Sequence, residues 1–258
     1  MIPNIIHFNY GMKEQKEEFL FSYLLAIVSA YYVNKPIRIY FHYHYLPYGK
    51  WWDACLNYIT PNKVLLPEKI KDKDVKHYAH KSDIVRMEAL LKYGGIHFDI
   101  DTISLRPVKE YLQYDMVMAR EKDYGLCNAV IMANKDSKFL KRWWEIYPDW
   151  FIPDGWGEAS IVCPRQLSNV MRRDIVILNG KRFFEPDFNS WCDIFNESSI
   201  SIPKELLTLH LWESSSYNVL KGVDINYLKG NSLYCKIVRE LCSNHSDFKK
   251  FLDKARVL

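Results

Sequence analysis

Two adjacent glycines, Gly94 and Gly95, stand between a run with helical periodicity, SDIVRMEALLKY (82–93), and a short β-type run, IHFDI (96–100). This junction constrains the fold more than any other feature. The chain must leave a helix and enter a strand with almost no connection, and glycine allows that reversal without a Cβ penalty. Ser82 is placed to cap the helix, Asp83 lies in its first turn, and Gly94 can end it in the left-handed conformation. The same alternation recurs along the chain. IPNIIHF (2–8), IRIYFHY (37–43), KVLLP (63–67), DMVMAR (115–120), NAVIMAN (128–134), DIVIL (174–178) and LTLHLW (207–212) read as strands. Residues 14–33, 50–59, 136–151 and 158–173 read as helices, and the tail from about 231 as one or two more. Alternating strands and helices predict an α/β fold with a largely parallel sheet flanked by helices, with extra helices at the C-terminus. Such sheets place their sites at the carboxyl ends of strands. With no repeat, low-complexity tract or linker visible, residues 1–258 are expected to form a single domain. The stretch YPDWFIPDGWGEAS (147–160) is the best candidate for a mobile loop.

Asp99 and Asp101 fall where the strand after the glycines should be ending. They share parity, so they face one side if the strand continues. Two carboxylates that close repel unless water solvates both, one is protonated, or a cation sits between them. A two-letter motif alone is most simply a solvated turn. A phosphatase of the haloacid-dehalogenase type also carries Asp-x-Asp after an apolar strand. Its pattern continues with one more residue and then Thr, whereas here Thr102 follows Asp101 directly and Ile103 holds the expected Thr position.

The net charge of +4 suits anionic small molecules but is too weak to indicate nucleic acid. Six scattered cysteines with no CxxC spacing predict neither a zinc site nor a disulfide framework, and point to reduced thiols and a cytoplasmic location. FLFSYLLAIVSAYYV (19–33) is the one candidate membrane segment. It is short of the roughly 20 residues that span a bilayer, so a buried helix is expected and no transmembrane segment.

The surrounding residues raise the acidic pair above noise. HKSDIVRMEALLKYGGIHFDIDTISLRPV (80–108) resembles the sugar-binding DxD region of glycosyltransferase family 32. That group includes initiating mannosyltransferases, α1,4-galactosyltransferases and the similar clostridial toxin glucosyltransferases. The matching residues are Ser82, Asp83, Arg86, Tyr93, Gly94, Gly95, Asp99 and Asp101. IPNIIHFNYG (2–11), CNAVIMA (127–133) and LHLWESSSYN (209–218) resemble other parts of the family, though Ser-Tyr stands where the family usually has Ser-Trp.

The resemblance implies a GT-A type fold and a metal-dependent retaining transferase that moves a hexose from a nucleotide-diphosphate sugar. A UDP-sugar is favoured over a GDP-sugar, with a glycan or other hydroxyl acceptor. It implies Mn²⁺ (or Mg²⁺) held by Asp101, Asp99 and His210, and catalytic roles for Asp99, Asp101, Asp83 and Arg86. Donor contacts are expected from Phe8, Asn9, Tyr10, Ser82, Asp83, Arg86, Asp99, Asn128, Ser214 and Ser216, with HLWESSSYN as a flexible polar cover. The alternative is a degenerate domain that binds a nucleotide-sugar or glycan without turnover. Read from the residues alone, Asp83 and Arg86 share a helix face, which on a surface is an ion pair worth a few tenths of a kcal/mol.

Overall fold

In the computed structural model, which describes residues 1–122, 124–197 and 199–256, the chain opens with β1 (Ile5–Tyr10), α1 (Phe21–Asn34), β2 (Arg38–Tyr43), α2 (Lys50–Cys55) and β3 (Thr60–Lys63). A small hairpin of β4 (Lys69–Ile70) and β5 (Lys73–Asp74) leads into α3 (Tyr78–Tyr93), β6 (Gly95–Phe98) and β7 (Thr102–Ser104). There follow β8 (Met116–Glu121), β9 (Gly125–Ala133), α4 (Lys138–Trp150), α5 (Cys163–Val170) and β10 (Val176–Leu178). The C-terminal part holds β11 (Thr208–His210), α6 (Glu213–Leu220), α7 (Leu233–Asn244) and α8 (Ser246–Ala255).

Seven strands form the central sheet in the order β10-β8-β9-β6-β1-β2-β3. Its pairs are parallel except where β9 runs against β6 and β8. This is the mostly parallel, helix-flanked sheet that the alternation of strands and helices predicts. The period-2 alternation of the strands divides the core between the two faces. Ile6, Phe8, Ile96, Phe98, Val130 and Met132 pack on one face with α1 and the C-terminal helices. Met116, Met118, Ile131 and Ala133 pack on the other with α3, α4 and α5.

Helix α1 is apolar nearly all round and almost wholly buried, which is what a central helix requires. No helix among the described residues is long and apolar enough to cross a membrane. The helix starts at Phe21, well inside the expected 14–33. The physical reason is Phe19. Its N–H donates to the Tyr48 carbonyl (2.9 Å) and its ring packs on Phe41 and Trp52, which pins the chain ahead of the helix and leaves residues 14–18 as a mostly exposed run beside it.

Three other boundaries differ from expectation. Helix α3 begins at Tyr78, capped by the His77 ring, which accepts from Ala79 N–H, so Ser82 lies inside the helix and does not cap it. Strand β3 covers Thr60–Lys63, ahead of KVLLP, because Thr60–Lys63 is the stretch in register with Tyr40–Tyr43. LTLHLW pairs antiparallel with β7 in a separate two-stranded sheet.

The helix-to-strand reversal behaves as the glycines require. Gly94 has φ +64° and Gly95 φ +117°. A Cβ on Gly95 would stand 2.4 Å from the Ile5 carbonyl oxygen of β1. Side chains there are excluded both by backbone conformation and by the neighbouring strand.

Behind this turn lies a run of buried polar groups on the α3 side of the sheet. Asn62 Nδ2 donates to His42 Nδ1 (2.8 Å), so His42 carries its proton on Nε2 and donates to His7 Nδ1 (3.0 Å). His7 therefore carries its proton on Nε2 and donates to the Gly94 carbonyl (2.8 Å). The chain of bonds is complete only with both rings neutral. Burial lowers His7 to about 4 and His42 to about 3, against an ordinary 6.5. In the unfolded chain both rings take up protons as pH falls below 6.5, while the folded chain resists. Stability is therefore full above pH 6.5 and falls below it, down to about 4 for the His7 contribution and about 3 for that of His42. Each ring is expected to cost about 2 kcal/mol on going from pH 7 to pH 5. Urea unfolding at the two pH values checks this. His42→Asn should show the smaller loss, and an equal loss would mean that the ring is not held neutral.

Candidate active site

The strand after the glycines ends at Phe98, so Asp99 and Asp101 do not share a face by strand parity. They converge through a turn. Asp99 N–H donates to the Ala129 carbonyl of β9 (2.9 Å), and Thr102 N–H donates back to the Asp99 carbonyl (3.0 Å). Strand β7 then pairs with β11, setting His210 opposite Thr102. The Asp101 carbonyl accepts from Leu211 N–H (2.9 Å), and its Oδ2 accepts from the Glu213 N–H at the start of α6 (2.7 Å). His210 Nε2 stands 3.3 Å from Asp101 Oδ1.

One ligand atom from each of Asp99, Asp101 and His210 lies within 4.8 Å of the others. His210 Nδ1 is buried with no hydrogen-bond partner. Two carboxylate oxygens and an imidazole nitrogen at this spacing fit a divalent cation after small side-chain rotations. Burial raises the Asp99 carboxyl to about 6, with Arg86 opposing and Asp101 adding to the rise. At Asp101 burial is outweighed by His210 and the Glu213 N–H, which hold its carboxyl below the usual range. At His210 burial is outweighed by Asp101, which raises the imidazole above its ordinary value.

Beside this trio, Arg86 reaches from α3 to hold two carboxylates. Its Nη2 stands 3.2 Å from Asp83 Oδ1 and 3.0 Å from Asp99 Oδ1, and its Nη1 donates to the Asn128 carbonyl. Asn128 Nδ2 donates to Asp83 Oδ1 (2.8 Å). Asp83 and Arg86 are about 5% exposed, so theirs is not a surface pair. Burial is the main influence raising Asp83, with Arg86 opposing it.

These groups form the floor of a cleft of about 1010 Å³ at the carboxyl ends of β1 and β6. Asn9, Tyr10, Ser82, Asp83, Arg86, Asp99, Asp101, Asn128, His210 and Ser214 all line it. Asn9 Nδ2 donates to the Ser82 carbonyl (3.0 Å), tying β1 to α3. Two expected donor contacts lie elsewhere. Phe8 is fully buried against Phe98, because alternation along β1 sends it into the core. Ser216 is fully buried, its hydroxyl donating to the Leu211 carbonyl (2.6 Å).

HLWESSSYN is not a polar coil: from Glu213 it forms α6, started by Trp212 in the left-handed conformation (φ 57°). Most of 147–160 is ordered by its neighbours. Lys73 Nζ donates to the Pro148 and Phe151 carbonyls, the Trp143 indole N–H donates to the Ala159 carbonyl, and residues 158–162 form a wide helical turn.

Sequence reasoning missed several cleft residues. Glu213 is bonded by the Tyr23 hydroxyl (3.0 Å) and raised by burial; the Trp212 ring lies 4.3 Å from that of His210; Ser160 bonds Asp83; Glu121, Tyr78 and Lys13 also line the walls. Glu213 carried one usable signal, an acidic residue directly after a strand and ahead of a hydroxyl run, as at a helix N-terminus.

Residues 52–122 match the family described as "Glycosyltransferase sugar-binding region containing DXD motif". In an alignment 274 positions long the chain is 34% identical to Glucan organizing enzyme 1 of Cryptococcus neoformans var. grubii serotype A, covering 97% of this chain and 74% of that protein. Among solved structures, the glycosyltransferase GlyE of Streptococcus pneumoniae TIGR4 is 13% identical with a TM-score of 0.49, over 95% of this chain and 64% of that one. The galactosyltransferase LgtC in complex with donor and acceptor sugar analogs is also 13% identical, with a TM-score of 0.44 over 84% of this chain and 95% of that one.

Proposed function

Since the chain belongs to the glycosyltransferases with a DXD sugar-binding region, the family-32 type, we propose that it is a metal-dependent retaining hexosyltransferase acting as one domain on a nucleotide-diphosphate sugar. A UDP-sugar is favoured over a GDP-sugar, and the acceptor is a glycan hydroxyl. The observation that carries this reading is the convergence of Asp99, Asp101 and His210 beside the Arg86-held carboxylates, at the floor of one cleft. The name of the Cryptococcus relative supports a glucan or similar polysaccharide as the acceptor.

Asp99, Asp101 and His210 would hold the divalent cation, and the imidazole in the set favours Mn²⁺ over Mg²⁺. When bound, the cation supplies positive charge against the leaving nucleoside diphosphate. Arg86 keeps Asp83 and Asp99 oriented, so that their remaining lone pairs can accept hydroxyls of the donor ribose and sugar. Tyr10, at the end of β1, offers its ring to the base, and Ser214 offers a hydroxyl to the phosphates. The acceptor oxygen forms its bond to the anomeric carbon as the bond to the phosphate oxygen breaks. The acceptor proton passes to that leaving oxygen on the same face, so no enzyme nucleophile is required.

A screen of UDP- and GDP-sugars tests this reading. Release of nucleoside diphosphate is expected from a UDP-sugar with Mn²⁺, lost with EDTA and restored by added Mn²⁺. No release from any sugar nucleotide, or release untouched by EDTA, would overturn it.

A further inference from the structure

Most large aromatic side chains in this protein are buried or half-buried, but three at the cleft are exposed. Trp156 is 53% exposed, Tyr124 49% and Phe188 47%, and all three line the walls. Each is fixed in place. The backbone N–H of Trp156 donates to Glu158 Oε2 (2.8 Å), and its ring meets the His77 ring perpendicularly at 5.3 Å. Phe188 meets Trp212 perpendicularly at 5.6 Å. It also follows Asp187, whose carboxylate accepts from the Asn189 N–H (2.9 Å) and pairs with Lys122. Tyr124 packs at Gly157, where a Cβ would lie 2.6 Å from its hydroxyl oxygen.

The cleft is also large. About 1010 Å³ lies at the upper limit of sites that hold a single drug-sized ligand, which leaves room for a second substrate beside the donor. A second cavity of about 400 Å³, lined also by Arg120 and Lys181, adjoins it across a wall of shared residues, Glu121, Lys122 and Asp187. Fixed, half-exposed rings mixed with carboxylates, amides and cations suit one chemistry in particular. A pyranose presents a face of C–H bonds that leaves water against an aromatic ring, and a rim of hydroxyls that seek polar partners.

We propose that Trp156, Tyr124 and Phe188 form an acceptor subsite for the pyranose rings of an oligosaccharide, whose chain continues into the neighbouring cavity past Lys122 and Asp187. This rests on the transferase reading above, and names the substrate class of the same cleft. Trp156 and Phe188 set acceptor affinity, and the length of the groove makes an oligomer a better acceptor than a single sugar.

The test uses the full chain with Mn²⁺ and the active sugar nucleotide. Two quantities are read: nucleoside diphosphate released to water, and transfer to a panel of glucose, mannose, galactose and N-acetylglucosamine acceptors, each as the single sugar, disaccharide and longer oligomer. Longer oligomers are expected to have the lower acceptor KM. Trp156→Ala and Phe188→Ala should each raise acceptor KM by about tenfold, with donor KM changed less than about twofold, while Trp156→Tyr keeps most of the affinity. Release to water with no glycan accepted would overturn the subsite and leave the transferase reading standing. So would an acceptor KM unmoved by both alanine variants, or a donor KM that rises in parallel. Absence of release from the wild-type chain would instead sink the transferase reading itself.

Discussion

Asp101→Asn is expected to reduce sugar transfer by about a thousandfold or more, because a lost metal ligand removes several kcal/mol of charge stabilisation from the leaving group. The asparagine is chosen with the Glu213 contact in view. Its side-chain oxygen can still accept the Glu213 N–H that Asp101 Oδ2 accepts, so the start of α6 stays tethered. The expected pattern is therefore a large loss of nucleoside diphosphate release with a melting temperature within a few degrees of wild type. Raising Mn²⁺ should recover little of the activity. Wild-type turnover in Asp101→Asn would show that the carboxylate is not a ligand.

Arg86→Ala has the largest expected effect on stability. Removing the guanidinium strands Asp83 and Asp99 without their shared cation, and breaking a buried pair in this way costs about 3–5 kcal/mol. An exposed pair of the same spacing would cost a few tenths. Donor use should be lost as well, since both carboxylates are free to turn away from the cleft. Arg86→Lys separates charge from geometry. It restores one positive group but cannot reach Asp83, Asp99 and the Asn128 carbonyl together, so intermediate stability with poor activity is expected. Urea unfolding and the release assay on both variants decide this, and an Arg86→Ala chain that unfolds like wild type would refute the buried-network account.

Much of the site was legible because its chemistry is local. Gly94 and Gly95 announce a reversal that no other residue tolerates, and the helix before it and the acids after it are fixed by that turn. The alternation of Ile96 and Phe98 with His97 likewise shows a strand with two different faces. What was not legible depends on distant partners. Asp83 and Arg86 have the spacing of any surface pair, and it is the packing of α3 on β1, β6 and α4, with Asn128 of β9 bonded to both, that buries them. Phe8 and Tyr10 look alike in sequence and share one face of β1, yet Phe8 sits mid-strand in the core while Tyr10, at the carboxyl end of the strand, reaches the cleft. The polar run after His210 carries no apolar stripe. Its helix is secured by Asp101 holding its first turn and by the burial of Ser216 and Leu220, neither of which a local pattern reveals.

The pairing of β7 with β11 also sets a schedule for synthesis. The acids of the turn near residue 100 leave the ribosome about 110 residues before His210, a delay of roughly 5–20 s at ordinary elongation rates. During that interval the nascent chain has the sheet strands β1, β2 and β6 and both carboxylates, but neither the histidine nor the helix start that holds Asp101. On the metal-site reading proposed above, it lacks the third member of the Asp99–Asp101–His210 set. On the proposed function, competence waits for Thr208–His210 to pair with Thr102–Ser104, and a chain stopped short of that strand is left with an open strand edge on β7.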